Sequence, residues 1–186
     1  MKRTEINKVY QLLSFLMQYP DRQMKEALLE VKEEISRFEH PEVKMKLERF
    51  IAISEDTELE EWIDYYIENF DFGRVTNLYV TYLKSGEQRE RGLELLKLKK
   101  FYEASGFTVT DKELTDYLPL MLEFCGQVPA ETIRELMQMN AKAILEIHEK
   151  LRETSNYYTL LFDALLLTME AAGVEISEPK EEQATP

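Results

Sequence analysis

Catalysis by a metal ion or a nucleophile needs a particular few side chains brought together, and this sequence holds few of them. The histidines are His40 and His148, and the single cysteine is Cys125. Two distant histidines and one cysteine cannot assemble a zinc or iron ligand set of the usual spacing. A nucleophilic cysteine needs a base and an electropositive setting, whereas Cys125 ends the apolar run Leu122-Glu123-Phe124 and reads as core packing. No G-x-G-x-x-G, G-x-x-x-x-G-K-[ST] or G-x-S-x-G pattern is present, so nucleotide and hydrolase chemistry lose their usual support. Carboxylate pairs abound, but among 36 acidic residues they single nothing out. The eight methionines serve either core filling or an adaptable apolar surface. The expectation is a protein with no catalytic residues, no metal site and no cofactor, one that works by holding another protein.

Charge and length narrow the partner. The net charge of −13 over 186 residues argues against nucleic acid, whose phosphates need a basic face, and favours a basic or apolar partner unless the acidity only serves solubility. One cysteine rules out an intramolecular disulfide. Met1 to Gln18 is broken by charged and amide residues, unlike a secretory signal. The most apolar run, Tyr157 to Gly173, contains Asp163 and Glu170 and falls short of the ~20 residues of a membrane span. A cytoplasmic protein with no membrane span is expected, built as one domain.

The elements that would carry any site read as helices throughout. Ile6, Val9, Tyr10, Leu13, Leu16 and Met17 recur at helical spacing up to Pro20, and Met24, Leu28, Val31, Ile35 and Phe38 form a second stripe ending at His40-Pro41. Val43, Leu47, Phe50 and Ile51 mark a third. Thr57 with Glu60 suggests a capping box before Leu59, Trp62, Tyr66 and Phe70. Val75 to Leu83 is β-branched and aromatic, but a strand there would lack a partner, so its helical spacing predicts helix. A helix from Glu87 should stop at Ser105-Gly106. Thr110 with Glu113 suggests a second capping box before Leu114, Tyr117 and Leu118, with a kink or break at Pro119. Ile133 to Leu151 is amphipathic, and Tyr157 to Ala172 is apolar nearly all round. The predicted fold is all-α, a compact single-domain bundle of eight or nine helices with no sheet, over residues 1–173, with an acidic, disordered tail at 174–186.

Charge is segregated along the chain. From Glu55 to Asp71 there are eight acidic residues and no Lys or Arg, while from Arg74 to Lys100 seven basic residues against three acidic ones give +4. Either the two stretches pair with each other or each is a solvated or binding face. From the end of the acidic stretch onward stand Phe70-Asp71, Arg74, Leu78-Tyr79, Tyr82, Gly86, Arg89, Arg91-Gly92, Gly106-Phe107, the run Glu113-Leu114-Thr115-Asp116-Tyr117-Leu118-Pro119, and Leu122-Glu123-Phe124. In this order they resemble the NarJ-type assembly chaperones of respiratory nitrate reductase, within the TorD-like group dedicated to molybdenum enzymes. That family usually has proline where Thr115 stands.

The resemblance implies a TorD-like helical fold and a cytoplasmic chaperone with unfolded-protein binding activity. Its client would be the catalytic (alpha) subunit of nitrate reductase, held through its N-terminal peptide. It would keep the apoenzyme competent for molybdenum cofactor insertion in nitrate respiration and nitrate assimilation, then leave. Groove binding of an amphipathic, partly basic peptide needs apolar anchors and acidic guides. Leu78, Tyr82, Tyr117 and Leu122 are candidate groove walls, Asp71, Asp116 and Glu123 candidate partners for basic peptide residues, and Arg74, Arg89 and Arg91 candidates to orient those carboxylates. The alternative for the carboxylates is structural: Asp71 capping a helix and pairing with Arg74, Asp116 doing the same near Arg89. Two competing functions are a general helical scaffold, and a pterin-cofactor carrier in which Arg89, Arg91, Lys97 and Lys100 grip phosphate. Exposed groove walls would also permit weak self-association.

Overall fold

The computed structural model describes residues 1–72, 76–82, 88–110 and 112–176, with backbone alone at residues 88 and 89. Its helices are α1 (Arg3–Leu16), α2 (Arg22–Ser36), α3 (Pro41–Asp56), α4 (Leu59–Tyr66), α5 (Gln88–Ala104), α6 (Leu118–Cys125), α7 (Ala130–Glu153) and α8 (Thr159–Ala171). A π-helical turn, Ile67–Asp71, continues α4. The all-α bundle read from the sequence is the fold observed.

The apolar stripes explain the packing. Both sides of α1 are apolar, and it lies between α6 and α8 with α2 at its edge. Val9, Tyr10, Leu13 and Leu16 are fully buried there, and each such side chain contributes roughly 1.5–3 kcal/mol. Helix α8 is covered by α1, α3 and α7, which its all-round apolar sequence requires. Asp21 caps α2 by accepting a hydrogen bond from the Met24 amide at 2.7 Å, and His40 Nδ1 accepts from the Val43 amide at the start of α3. The buried Glu5 carboxylate accepts from the Glu39 and His40 amides at 3.1 and 2.9 Å, satisfying the turn between α2 and α3.

Several local readings are corrected. Thr57 does not cap α4; its hydroxyl donates back to the Ile53 carbonyl at 2.7 Å and closes α3. Residues 112–117 are turns, so the Thr110 and Glu113 pattern caps no helix. Pro119 neither kinks nor breaks a helix but stands in the first turn of α6, where a missing N–H costs nothing. Residues 76–82 are turns with one bridging residue instead of helix. Of the expected tail, Val174 is buried and Ile176 packs on the core, while residues 177–186 lie outside the described residues.

An aromatic cluster joins α3, α4 and α8. Trp62 Nε1 donates to the Tyr158 hydroxyl at 2.8 Å, and Phe50 and Phe70 meet the Tyr158 ring edge-on at 5.1 and 4.9 Å. The π-turn is what brings Phe70 into this cluster, since its Phe72 N–H reaches the Ile67 carbonyl five residues back. Phe72, two positions on, is thrown outward and is 79% exposed.

Candidate partner-binding site

Residues 76–82 find a partner in the segment entering α6. The Val80 amide donates to the Asp116 carbonyl at 3.0 Å, the Leu118 amide to the Leu78 carbonyl at 2.7 Å, and Tyr79 and Tyr117 form an isolated antiparallel bridge with rings 5.2 Å apart. The helical spacing of this stretch is therefore overridden: its turns are pinned by backbone hydrogen bonds to a segment 36–40 residues downstream, and Tyr79 alone pairs as a strand residue would.

Asp116 is the hub of this crossing. Its fully buried carboxylate accepts through Oδ2 from the Thr81 hydroxyl at 2.5 Å, the Thr81 amide at 3.3 Å and the Arg91 guanidinium at 3.4 Å. Oδ1 finds no hydrogen-bond partner among the described residues. The Arg91 guanidinium also lies 5.9 Å from the Tyr79 ring centre and 5.5 Å from that of Tyr82, close enough for cation–π attraction. Glu113 Oε1 accepts from the Tyr79 hydroxyl and the Leu114 amide, both at 2.9 Å. Burial, and then this bond to a carboxylate, push the Tyr79 phenol up to about 12, so it stays a donor at any physiological pH.

Helix α5 is tied to the crossing by a few polar contacts. Thr115 Oγ1 donates to the Leu95 carbonyl at 3.0 Å, a bond that proline could not make, and the Tyr102 hydroxyl donates to the Thr115 carbonyl at 2.9 Å. Gly106 follows α5 with φ +88°, the left-handed turn that lets the Phe107 amide reach the Tyr102 carbonyl at 3.0 Å. Phe107 then folds against Phe124, ring centres 5.0 Å apart.

Two clefts open beside this turn. One, of about 320 Å3, is lined by Tyr102, Phe107, Val109, Leu120 and Phe124 with Glu113, Glu123 and Gln127 on its polar side. The other, of about 340 Å3, lies between Leu95, Leu96, Val109 and Leu114, with Lys99 and Glu113. Val109, Thr110 and Glu113 border both, so the two clefts adjoin along the 108–110 segment as an apolar track. Such a track can take apolar side chains of an extended or helical segment, and its carboxylates can meet basic ones.

The residues singled out from the sequence divide by burial. Asp71, Tyr82 and Glu123 are exposed, Tyr117 and Arg91 are half-buried, and Leu78, Asp116 and Leu122 are buried. Arg74 and the side chain of Arg89 lie outside the described residues. Of the residues singled out, Glu123 borders one of the clefts just described. Sequence reasoning missed Glu113, Phe107, Val109, Leu95 and Leu96 as site residues. Glu113 and Phe107 did stand among the motif positions, which was the available signal.

A second polar cluster joins α3, α7 and α8. His148 Nε2 is 2.7 Å from Asp163 Oδ1, and Lys46 Nζ is 2.6 Å from Asp163 Oδ2, beside a cleft of about 500 Å3. Burial pushes the Asp163 carboxyl up, but hydrogen bonds and charge from His148 and Lys46 outweigh it and hold the group below the usual aspartate value. Cys125 is wholly buried, which pushes its thiol well above the usual range. No trio of His, Cys, Asp or Glu among the described residues is placed to hold a metal ion, and no described helix is long and apolar enough to cross a membrane.

Residues 39–163 match the family model described as nitrate reductase delta subunit. Over 177 residues, 95% of this chain and 96% of the relative, the sequence is 40% identical to the probable nitrate reductase molybdenum cofactor assembly chaperone NarJ of Bacillus subtilis. It is 29% identical over 169 residues to the probable chaperone of the same kind, NarW, of Escherichia coli, covering 91% of this chain and 70% of that one. NarJ of Escherichia coli is 36% identical over 101 residues, 54% of this chain and 43% of the relative. The chain belongs to the nitrate reductase delta-subunit family, among the NarJ-type molybdenum cofactor assembly chaperones.

Proposed function

We propose that this protein, acting in the cytoplasm, binds the N-terminal segment of the apo catalytic subunit of nitrate reductase and holds that subunit competent for molybdenum cofactor insertion. The observation that carries this reading is the apolar track around residues 108–110, edged by the Glu113 and Glu123 carboxylates. An amphipathic, partly basic segment is the occupant such a track suits, with aliphatic anchors in the two clefts and Lys or Arg side chains toward the carboxylates.

Within this reading the sequence-derived residues take different parts. Tyr82, Tyr117, Asp71 and Glu123 are available to a client, while Leu78, Leu122 and the Asp116–Arg91 pair act from behind by setting the crossing on which the track is built. Arg74 and Arg89, read from the sequence, are the candidates to orient carboxylates.

Calorimetric titration with a synthetic peptide copying the N-terminal segment of the same organism's catalytic subunit tests the proposal. Saturable binding is expected. Glu123→Gln should weaken it up to about fivefold, the size of an exposed ion pair, and Val109→Asp, which puts a charge in the wall shared by both clefts, at least about tenfold. No binding across a salt and pH series would leave a general scaffold as the better description.

A further inference from the structure

Helix α5 is the least covered long helix of the bundle. Of its 17 residues only Leu98 and Tyr102 are buried apolar side chains. Leu93, Leu96, Lys97 and Lys100 follow i, i+3, i+4, i+7 spacing on one outward stripe, and Leu93 is 63% exposed. Glu90 and Glu103 stand one turn beyond either end and confine the positive charge to the middle. Lys97 and Lys100 have no ion-pair partner among the described residues. The acidic stripe of α4 and its π-turn is its counterpart: Glu60, Glu61, Asp64 and Glu68 are exposed, likewise unpaired among the described residues, and lead to the exposed Phe72. The two charge blocks of the sequence thus do not neutralise each other within the described part of one molecule.

We propose that the outward stripe of α5 docks on the acidic stripe of α4 in a second copy of this chain, with Leu93 and Leu96 against the exposed Phe72. Charge names the occupant: a basic, leucine-bearing stripe needs an acidic surface with an apolar end, and every copy carries one. A contact of one helix face per partner falls at the small end of specific interfaces, below ~1,200 Å2, so the association is reversible. It depends on salt because the paired charges are at the surface.

Sedimentation velocity over a concentration series, with far-UV circular dichroism as the folding control, tests this. The wild-type protein is expected to exceed monomer mass at high concentration and low salt, and to return to monomer as salt is raised. Lys97→Glu with Lys100→Glu, and separately Glu61→Lys with Asp64→Lys, should each stay monomeric while folded. Mixing these two variants one to one should restore association, since each then offers the charge the other lacks. A wild-type protein that stays monomeric throughout, or a mixture that stays monomeric, overturns the proposal. So does association that both charge reversals leave intact. None of these outcomes depends on whether the peptide of the proposed function binds.

Discussion

At the scale of the residue, the decisive groups are two paired carboxylates, Asp116 fully buried and Asp163 half-buried. Among the described residues Asp116 is held by Thr81 and Arg91, so that removing the arginine leaves its buried carboxylate with the Thr81 hydroxyl and amide there. Arg91→Ala should therefore cost about 1–3 kcal/mol in urea unfolding. Asp116→Asn should cost less, because an amide oxygen still accepts from Thr81 and the lost charge no longer needs pairing. If Arg91→Ala leaves the urea midpoint unchanged, the pair contributes nothing. Asp163 gives a pH dependence with a definite sign. Its folded value lies below the ordinary 3.8, so it adds stability above about that pH and loses it as the pH falls through the depressed value. Comparing acid unfolding of the wild type with Asp163→Asn should show the difference shrinking on acidification. A constant gap between the two curves would contradict it.

At the scale of the element, stability should be uneven. Helices α1, α6, α3 and α8 interlock through buried stripes, whereas α5 is held by the Arg91–Asp116 pair, the Thr115 and Tyr102 hydrogen bonds and two buried side chains. Amide hydrogen exchange should be faster in α5 than in α1 or α8, because local opening there uncovers little apolar surface. Equal protection of α5 and α1 would refute this. The junction of α1 and α6 should tolerate no added bulk. A Cβ on Gly126 would sit 2.4 Å from Gln11 Cγ and 3.2 Å from the Asn7 carbonyl oxygen. Asn7 Nδ2 also donates to the Gly126 carbonyl at 3.0 Å. Gly126→Ala should lower the melting free energy by about 1–3 kcal/mol through overpacking, a loss that thermal melts would detect. The Gln11 side chain can swing away, but the Asn7 backbone cannot do so without shifting α1.

At the scale of the whole molecule, the apolar track belongs to neither α5 nor α6 alone. It exists because Gly106 turns the chain back, Phe107 docks on Phe124, and the 112–117 turns cross the 76–82 segment. A client peptide should thus protect residues of α5, the 108–110 segment and α6 together from hydrogen exchange; protection confined to α5 would argue against a shared track. Most of the bundle was legible beforehand because period-3.6 burial is local information: Ile6 to Met17, Met24 to Ile35 and Ile133 to Leu151 each declare a face without reference to anything distant. The motif run from Glu113 to Pro119 was legible as a signature, but not as geometry.

The amino-acid sequence by itself determined the helical class, the acidic balance, the shortage of metal-ligating and nucleophilic side chains, and the family signature, since composition, periodicity and residue order are properties of the chain. Only the tertiary structure decided what 76–82 would be, because the turns there are pinned by backbone hydrogen bonds to Asp116 and Leu118. It also decided that Asp116 serves the frame while Glu123 meets the cleft: burial follows from what packs against a residue, and that comes from parts of the chain far away in sequence.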